Sequence, residues 1–400
     1  MRKISSLFLI LLTLTSVTAE GKKHKDYYEN GNIKEEGKYK KGVPVGTWTF
    51  YHESGGIWGV GKYEDGGKSG VWSYYHPSGE LSETGSYQYG SEVGIWTGYF
   101  PSGAIDYQGD YNAGNEKGIW NYYNELGVLI QTGQFLDGVQ TGMWNYYYDS
   151  GQLEKTGMWK EDQNDGIWKY YYEDGTLERT GMWEVGIQTG IWTYYNEFGN
   201  VKEKGEWVDG KQSGLWEYFF ESGVLESKGH WKIGEQVGSW SYYFANGTLA
   251  KTGDWAGGNN VGLWTYYFET GQLESKGHRD AGHAVGEWQF YHINGNLKEI
   301  GSYDADGIQS GHWKYYSEDG KIFNEGEWVG GEQQGLWTYY YPNGKMSEQG
   351  TWTDGKQHGH WRYFHENGNL RKEGGWVNDE AKGLWKNYDL SGKFKSSDNF

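Results

Sequence analysis

Residues 262–277 read GLWTYYFETGQLESKG, and close copies of this stretch recur along nearly the whole 400-residue chain. Counting from its Trp264, tryptophans stand at 48, 72, 96, 120, 144, 168, 192, 216, 240, 264 and 288, then at 313, 337, 361 and 385. The spacing is 24 throughout, save one step of 25 between Trp288 and Trp313. Around each Trp a Gly stands two before, aromatics usually two and three after, and a Gly seven after. An aliphatic residue follows at nine, a Gly at thirteen and, in nearly every copy, an aromatic at fifteen. A period this long marks a repeat architecture, in which each unit buries its apolar surface only against its neighbours.

The unit reads as two strands. The sixth and seventh residues after Trp are Ser-Gly, Asn-Gly, Asp-Gly or Thr-Gly in 13 of 15 units, the exceptions being Leu126-Gly127 and Phe198-Gly199. Such pairs, which include Gly79, Gly175, Gly223 and Gly271, supply the positive backbone angles of a tight hairpin turn. The flanks alternate with period two: in the Trp216 unit, Leu225, Gly229 and Trp231 fall on one side, and Glu226, Lys228, His230 and Lys232 on the other. A glycine between aromatics leaves room for a ring from the adjacent strand to lie over the backbone. Trp72, Trp120, Trp144, Trp168, Trp192, Trp216, Trp240 and Trp264 are therefore read as structural, with the turn glycines.

Composition sharpens this. The chain holds 67 Gly against 24 Trp, 36 Tyr and 14 Phe, so its core is built from rings on glycines. Its net charge of −18 and low hydropathy resemble a disordered chain, but disordered chains are poor in aromatics. With 4 Pro and no Gly-X-Y register it is neither a proline-rich linker nor collagen. The acidic surface repels phosphate backbones and anionic headgroups, which argues against nucleic acid as a partner. Residues 1–19 combine Met1-Arg2-Lys3, an apolar run from Leu7 to Val17, and the small pair Val17 and Ala19 around a cleavage point, the pattern of a signal peptide. No other stretch is long and apolar enough to span a bilayer as a helix, and zero Cys leaves no acceptor for a lipid anchor. The expectation is a secreted or periplasmic protein: signal peptide 1–19, repeat array 20–392, and a polar tail 393–400.

The phrase G-x-W-x-Y-Y-x-x-x-G-x-L-x-x-x-G-x-W, seen in GLWTYYFETGQLESKG and in GMWNYYYDSGQLEKTGMW at 142–159, is similar to the MORN-type repeat in its bacterial variant form, some members of which are labelled antitoxins. The resemblance covers nearly all of the chain after residue 19. It implies an all-β fold, an elongated single-layer antiparallel β-meander of about fifteen 24-residue hairpin repeats. It also implies scaffolding or binding, since the family has no shared catalytic residues. A weaker resemblance is to choline- and glucan-binding repeats, which set Trp directly before Tyr-Tyr, whereas here Thr265 separates Trp264 from Tyr266.

Chemical motifs are thin. GKYEDGGKSG at 61–70 imitates a phosphate loop but places Gly67 where Lys is required. There is no nucleophile elbow, no HExxH and no thiol, so no catalytic residue or cofactor is assigned. His358 and His360, two apart on a strand, have the spacing for part of a metal site, with an exposed polar strand as the plainer reading. Asp304-Ala305-Asp306-Gly307, in the long unit, resembles a piece of a calcium loop or a lengthened turn. Asn246-Gly247-Thr248 fits a glycosylation acceptor.

Alternation leaves one face for function. Trp and the second residue after it share a face, and the third residue points to the other. That third position holds Tyr75, Tyr123, Tyr147, Tyr171, Tyr195, Tyr243, Tyr267, Tyr291, Tyr316 and Tyr340. A ladder of Tyr among polar groups suits a protein-binding surface and also suits stacking on sugar rings. Packing of these rings on one another inside the curl of the sheet is the alternative. The sequence thus leads to a non-enzymatic extracytoplasmic repeat protein that binds or scaffolds other proteins, with a cell-envelope glycan as the alternative partner.

Overall fold

The computed structural model describes residues 21–400, so the expected signal peptide lies outside the described residues. The fold is all-β: 32 strands, no helix among the described residues, arranged as an open antiparallel hairpin meander. Two compact units share them, one up to Thr176 and one from Leu177 onward. In the first, each strand from Lys22–Tyr27 to Gln163–Tyr171 pairs with the next; in the second the same holds from Leu177–Glu184 to Phe394–Asn399. The expected polar tail is thus mostly a strand: Phe394 occupies the place of the repeat's aliphatic residue and lies opposite Tyr388. Lys22–Tyr27 adds a hairpin in which His24 stands in for Trp, its ring 5.6 Å from that of Trp48.

The Trp144 hairpin shows why the phrase folds this way. Its strands are Val139–Tyr147 and Leu153–Lys160. In the turn between them, the Tyr148 N–H donates to the Gln152 carbonyl at 2.8 Å and the Gly151 N–H to the Tyr148 carbonyl at 2.8 Å. Only Gly151 of the Ser150-Gly151 pair is left-handed, with φ 87°. This is a three-residue loop closed by a left-handed glycine, not a two-residue turn with two positive angles. The sixth position is therefore free to vary, which explains Leu126 and Phe198. Successive hairpins are joined by a second kind of turn, where both central residues are left-handed, as in Asp137 (52°) and Gly138 (83°). These are two-residue primed turns, whose twist matches that of the flanking strands.

Two register slips complete the frame. Thr132 pairs with Asn145, but Gln134 pairs with Thr141, the slip falling at Gly142, whose φ is 66°. The indole N–H of Trp144 donates to the Gln134 carbonyl at 3.2 Å, just where the ladder is interrupted. A second slip corrects the simple alternation. In the Trp216 hairpin Tyr218 pairs with Ser227 while Phe219 pairs with Leu225, leaving Glu226 over as a bulge. Directly opposed residues share a face, so Leu225 lies with Phe219 rather than with Trp231.

The core is a row of rings lying on glycines. A Cβ on Gly133 would run into the Trp144 ring, and one on Gly157 into that of Trp168. Phe135 packs edge-on against Trp144 at 5.1 Å, and Tyr146 bridges from Trp144 (6.2 Å) to Trp168 (6.3 Å). The repeat tryptophans, Trp72, Trp120, Trp144, Trp168, Trp192, Trp216, Trp240 and Trp264 among them, are all buried.

Candidate interaction surface

The Trp-bearing face is filled by its own side chains. The tyrosines at the second position after Trp are half-buried or, at Tyr74 and Tyr363, buried, and burial pushes the phenols of Tyr146, Tyr218 and Tyr315 up to about 12. Trp328 donates its indole N–H to the Tyr315 hydroxyl at 3.1 Å, and Trp376 does the same to Tyr363 at 3.1 Å. Lys155 sets its ammonium 4.6 Å from the centre of the Tyr146 ring, a cation–π contact.

The opposite face carries the Tyr ladder. Tyr75, Tyr123, Tyr147, Tyr171, Tyr195, Tyr243, Tyr267, Tyr291, Tyr316 and Tyr340 all have intermediate exposure. Within each compact unit such a Tyr is set beside the aliphatic residue of its own hairpin, as Tyr147 opposes Leu153 and Tyr267 opposes Leu273. Several hydroxyls are also engaged: Tyr340 donates to Glu325 at 2.7 Å and Tyr291 to Gln289 at 2.7 Å.

More exposed on this face is the residue between the slip glycine and the Trp. Its side chain points away from the indole beside it, and it is aliphatic in every unit from Val71 to Leu215. In the first compact unit Val71, Ile95, Ile119, Met143 and Ile167 are 55–66% exposed. The signal in the sequence is the x of G-x-W, an apolar residue at a position that alternation turns toward solvent.

The two units clothe this face differently. In the first, the residue after Trp meets its cross-strand partner through uncharged groups in four successive hairpins. Ser73 lies 3.4 Å from Thr84, Gln108 donates to Thr97 at 3.0 Å, Thr132 to Asn121 at 2.7 Å, and Thr156 to Asn145 at 2.6 Å. In the second unit such uncharged pairs recur only between charged hairpins, as where Gln349 donates to Thr338 at 3.1 Å, and charges enter the same face beside them. Lys204 pairs with Glu217 at 2.9 Å, His312 lies 3.1 Å from both Glu325 and Glu327, and His360 lies 3.2 Å from Glu373.

The residual motifs resolve into structure. His360 is taken up by Glu373, and among the described residues no three His, Asp or Glu side chains are grouped to hold a metal. One carboxylate oxygen of Asp304 accepts the backbone N–H groups of Asp306 (3.0 Å) and Ile308 (2.9 Å), so the long unit has a lengthened turn. Asn246 is likewise spent on its turn, accepting from the Thr248 N–H at 2.8 Å and donating to the Glu269 carbonyl at 3.1 Å. Within 61–70, Asp65 and Gly66 form a primed turn and Gly70 is the slip glycine. No helix among the described residues is long and apolar enough to cross a membrane.

With this frame in view, the chain can be placed. A model of the MORN repeat variant matches eleven segments: 21–41, 68–89, 140–161, 164–184, 188–209, 212–232, 260–280, 284–305, 309–329, 333–354 and 357–378. These segments make up more than half of the chain, and it belongs to the MORN repeat variant family. No curated protein matches it. Among solved structures, the TcdB2-TccC3-Cdc42 complex is 11% identical, with 94% of this chain and 27% of that one covered and a TM-score of 0.15. The Photorhabdus luminescens Tc holotoxin pore is 13% identical, with 94% and 26% covered and the same TM-score of 0.15. This chain therefore spans about a quarter of those chains. At that score the likeness carries no information on fold or activity.

Proposed function

We propose that this is a non-enzymatic, extracytoplasmic repeat protein that binds or scaffolds other proteins through the face opposite its tryptophans. The observation that supports this reading is the row of exposed aliphatic residues beside the half-buried tyrosines. Apolar rows this long on an otherwise polar surface mark sites of association. Tyrosine edges add contact area at low entropic cost. A glycan reader would instead offer broad ring faces for stacking, and here the tyrosines stand against neighbouring aliphatic residues with some hydroxyls committed. Chemistry in this scheme comes from partners brought together on the array.

The test is retention of the purified protein on isolated peptidoglycan, set beside capture of proteins from an envelope lysate. The expected result is saturable capture of a defined protein, lost when Ile95, Ile119 and Met143 are all replaced by Glu. Retention on the insoluble glycan with no protein partner would overturn the reading.

A further inference from the structure

We infer that the four hairpins of Trp72, Trp96, Trp120 and Trp144 use their Trp-free face to bind a second copy of this chain, sheet against sheet. This rests on the reading of that face as a protein-binding surface and narrows it to one patch and one occupant.

The first argument is charge. Each chain carries a net charge of −18, so two copies repel one another over most of their surfaces. In these four hairpins the residues before and after Trp, with the cross-strand partners of the latter, are all uncharged. Asp110, the cross-strand partner of Ile95, is itself set directly opposite Lys117. An acidic partner, and a second copy above all, meets least repulsion here.

The second argument is desolvation. Covering a polar group costs free energy unless it keeps a hydrogen bond. The hydroxyls and amides of this patch already bond to one another across the strands, from Thr132 to Asn121 and from Thr156 to Asn145. Those hydroxyls keep their bonds under a partner, which lowers the cost of covering them. Covering the second unit would require desolvating the Lys204–Glu217 and His360–Glu373 pairs, whose mutual attraction seldom offsets that cost.

The third argument is area. Eight strands at roughly 4.8 Å spacing, each offering about five residues, present on the order of 650 Å². Two such faces bury on the order of 1,300 Å², within the range of specific interfaces. Val71, Ile95, Ile119 and Met143 run along the middle of that area, 55–66% exposed. Because one patch meets itself, the pairing is isologous and closes as a twofold dimer.

The experiment is sedimentation equilibrium of the full chain over a concentration series at two salt levels. The wild type is expected to dimerise, more tightly in high salt, because salt screens the overall repulsion while apolar contact persists. Ile119→Glu sets a carboxylate against the partner's apolar face and is expected to weaken the dimer about tenfold or more. Leu336→Glu, an equally exposed site in the second unit, is expected to leave it unchanged. Near-ultraviolet dichroism of the buried tryptophans shows that each variant is folded. A wild type that stays monomeric overturns the inference, as does a dimer that ignores Ile119→Glu, loosens with salt, or responds equally to Leu336→Glu. If the wild type is monomeric yet still captures an envelope protein in a way that Ile119→Glu abolishes, the dimer falls and the broader reading stands. If neither association is seen, both fall.

Discussion

The hairpins around Trp120 and Trp361 share one frame and wear different surfaces. In both, the Trp lies on the preceding unit's glycine, Gly109 or Gly350, and gives its indole N–H to a carbonyl, that of Asp110 at 3.3 Å or Thr351 at 3.1 Å. On the other face the first presents Ile119 with Asn121 and Thr132, the second His360 with Arg362 and Glu373. One face must fit its neighbours to within a methyl group, because a packed interior transmits any misfit. The other is not held by that packing, so its residues can change from unit to unit.

If the frame is shared, breaking it should cost the same in either region. Gly133→Val in the first unit and Gly253→Val in the second each force a side chain into a Trp ring, Trp144 and Trp264 respectively. Each is expected to lose on the order of 3–5 kcal/mol, the scale of a buried Trp that cannot stay in place, read as a fall in the urea midpoint. A large loss at one site with none at the other would end the idea of a common frame.

A smaller effect isolates the indole N–H. Trp144→Phe and Trp264→Phe keep a ring over the glycine but leave the carbonyls of Gln134 and Asp254 without that donor. The expected loss is about 1–3 kcal/mol in both units, the cost of an unmade buried hydrogen bond. A neutral outcome would mean that the ring alone sets the preference for Trp.

Much of this frame is legible in the sequence. The 24-residue period, the ring over Gly133 and the left-handed Gly151 follow from spacing and from what glycine permits. What is not legible are features in which backbone geometry overrides alternation. The bulge at Glu226 turns Leu225 to the other face, and nothing in the Glu itself announces it. The turn at Glu161 and Asp162 is primed without any glycine, with φ of 51° and 61°, so its residues hide its type. The exposed row at Val71, Ile95 and Ile119 is visible as letters, but its meaning depends on knowing that the sheet leaves that face uncovered. The candidate Tyr ladder is on that face, and its half-burial is set by the neighbour that the bulge places there.

The smallest effects concern pH, and the two faces differ in sign. On the Trp face, burial holds the Glu203 carboxyl above the usual carboxylate range. The folded state then binds a proton more readily than the unfolded one. The stability this supplies is full at low pH and is lost as pH rises through the raised value. Glu203→Gln should therefore raise the melting temperature at neutral pH and leave it nearly unchanged under acid. On the other face the Tyr388 hydroxyl, with His360 adding to it, holds Glu373 below the usual range. Its contribution is present at neutral pH and lost as pH falls, so Glu373→Gln should lower the neutral melting temperature. Identical pH profiles for the two variants would contradict the assignment of these environments.

The most direct test of the central claim, that the uncharged face of the first unit is where this protein meets protein, uses its own methionines. Met143 and Met158 lie on that face at 55% and 46% exposure, and Met182, at 44%, holds the same repeat position as Met158 in the second unit. Peroxide oxidation followed by mass spectrometry reports the access of each thioether. In dilute protein the three should oxidise at similar rates. On concentration, Met143 and Met158 should slow several-fold while Met182 slows less. Equal rates for all three at every concentration would contradict the account.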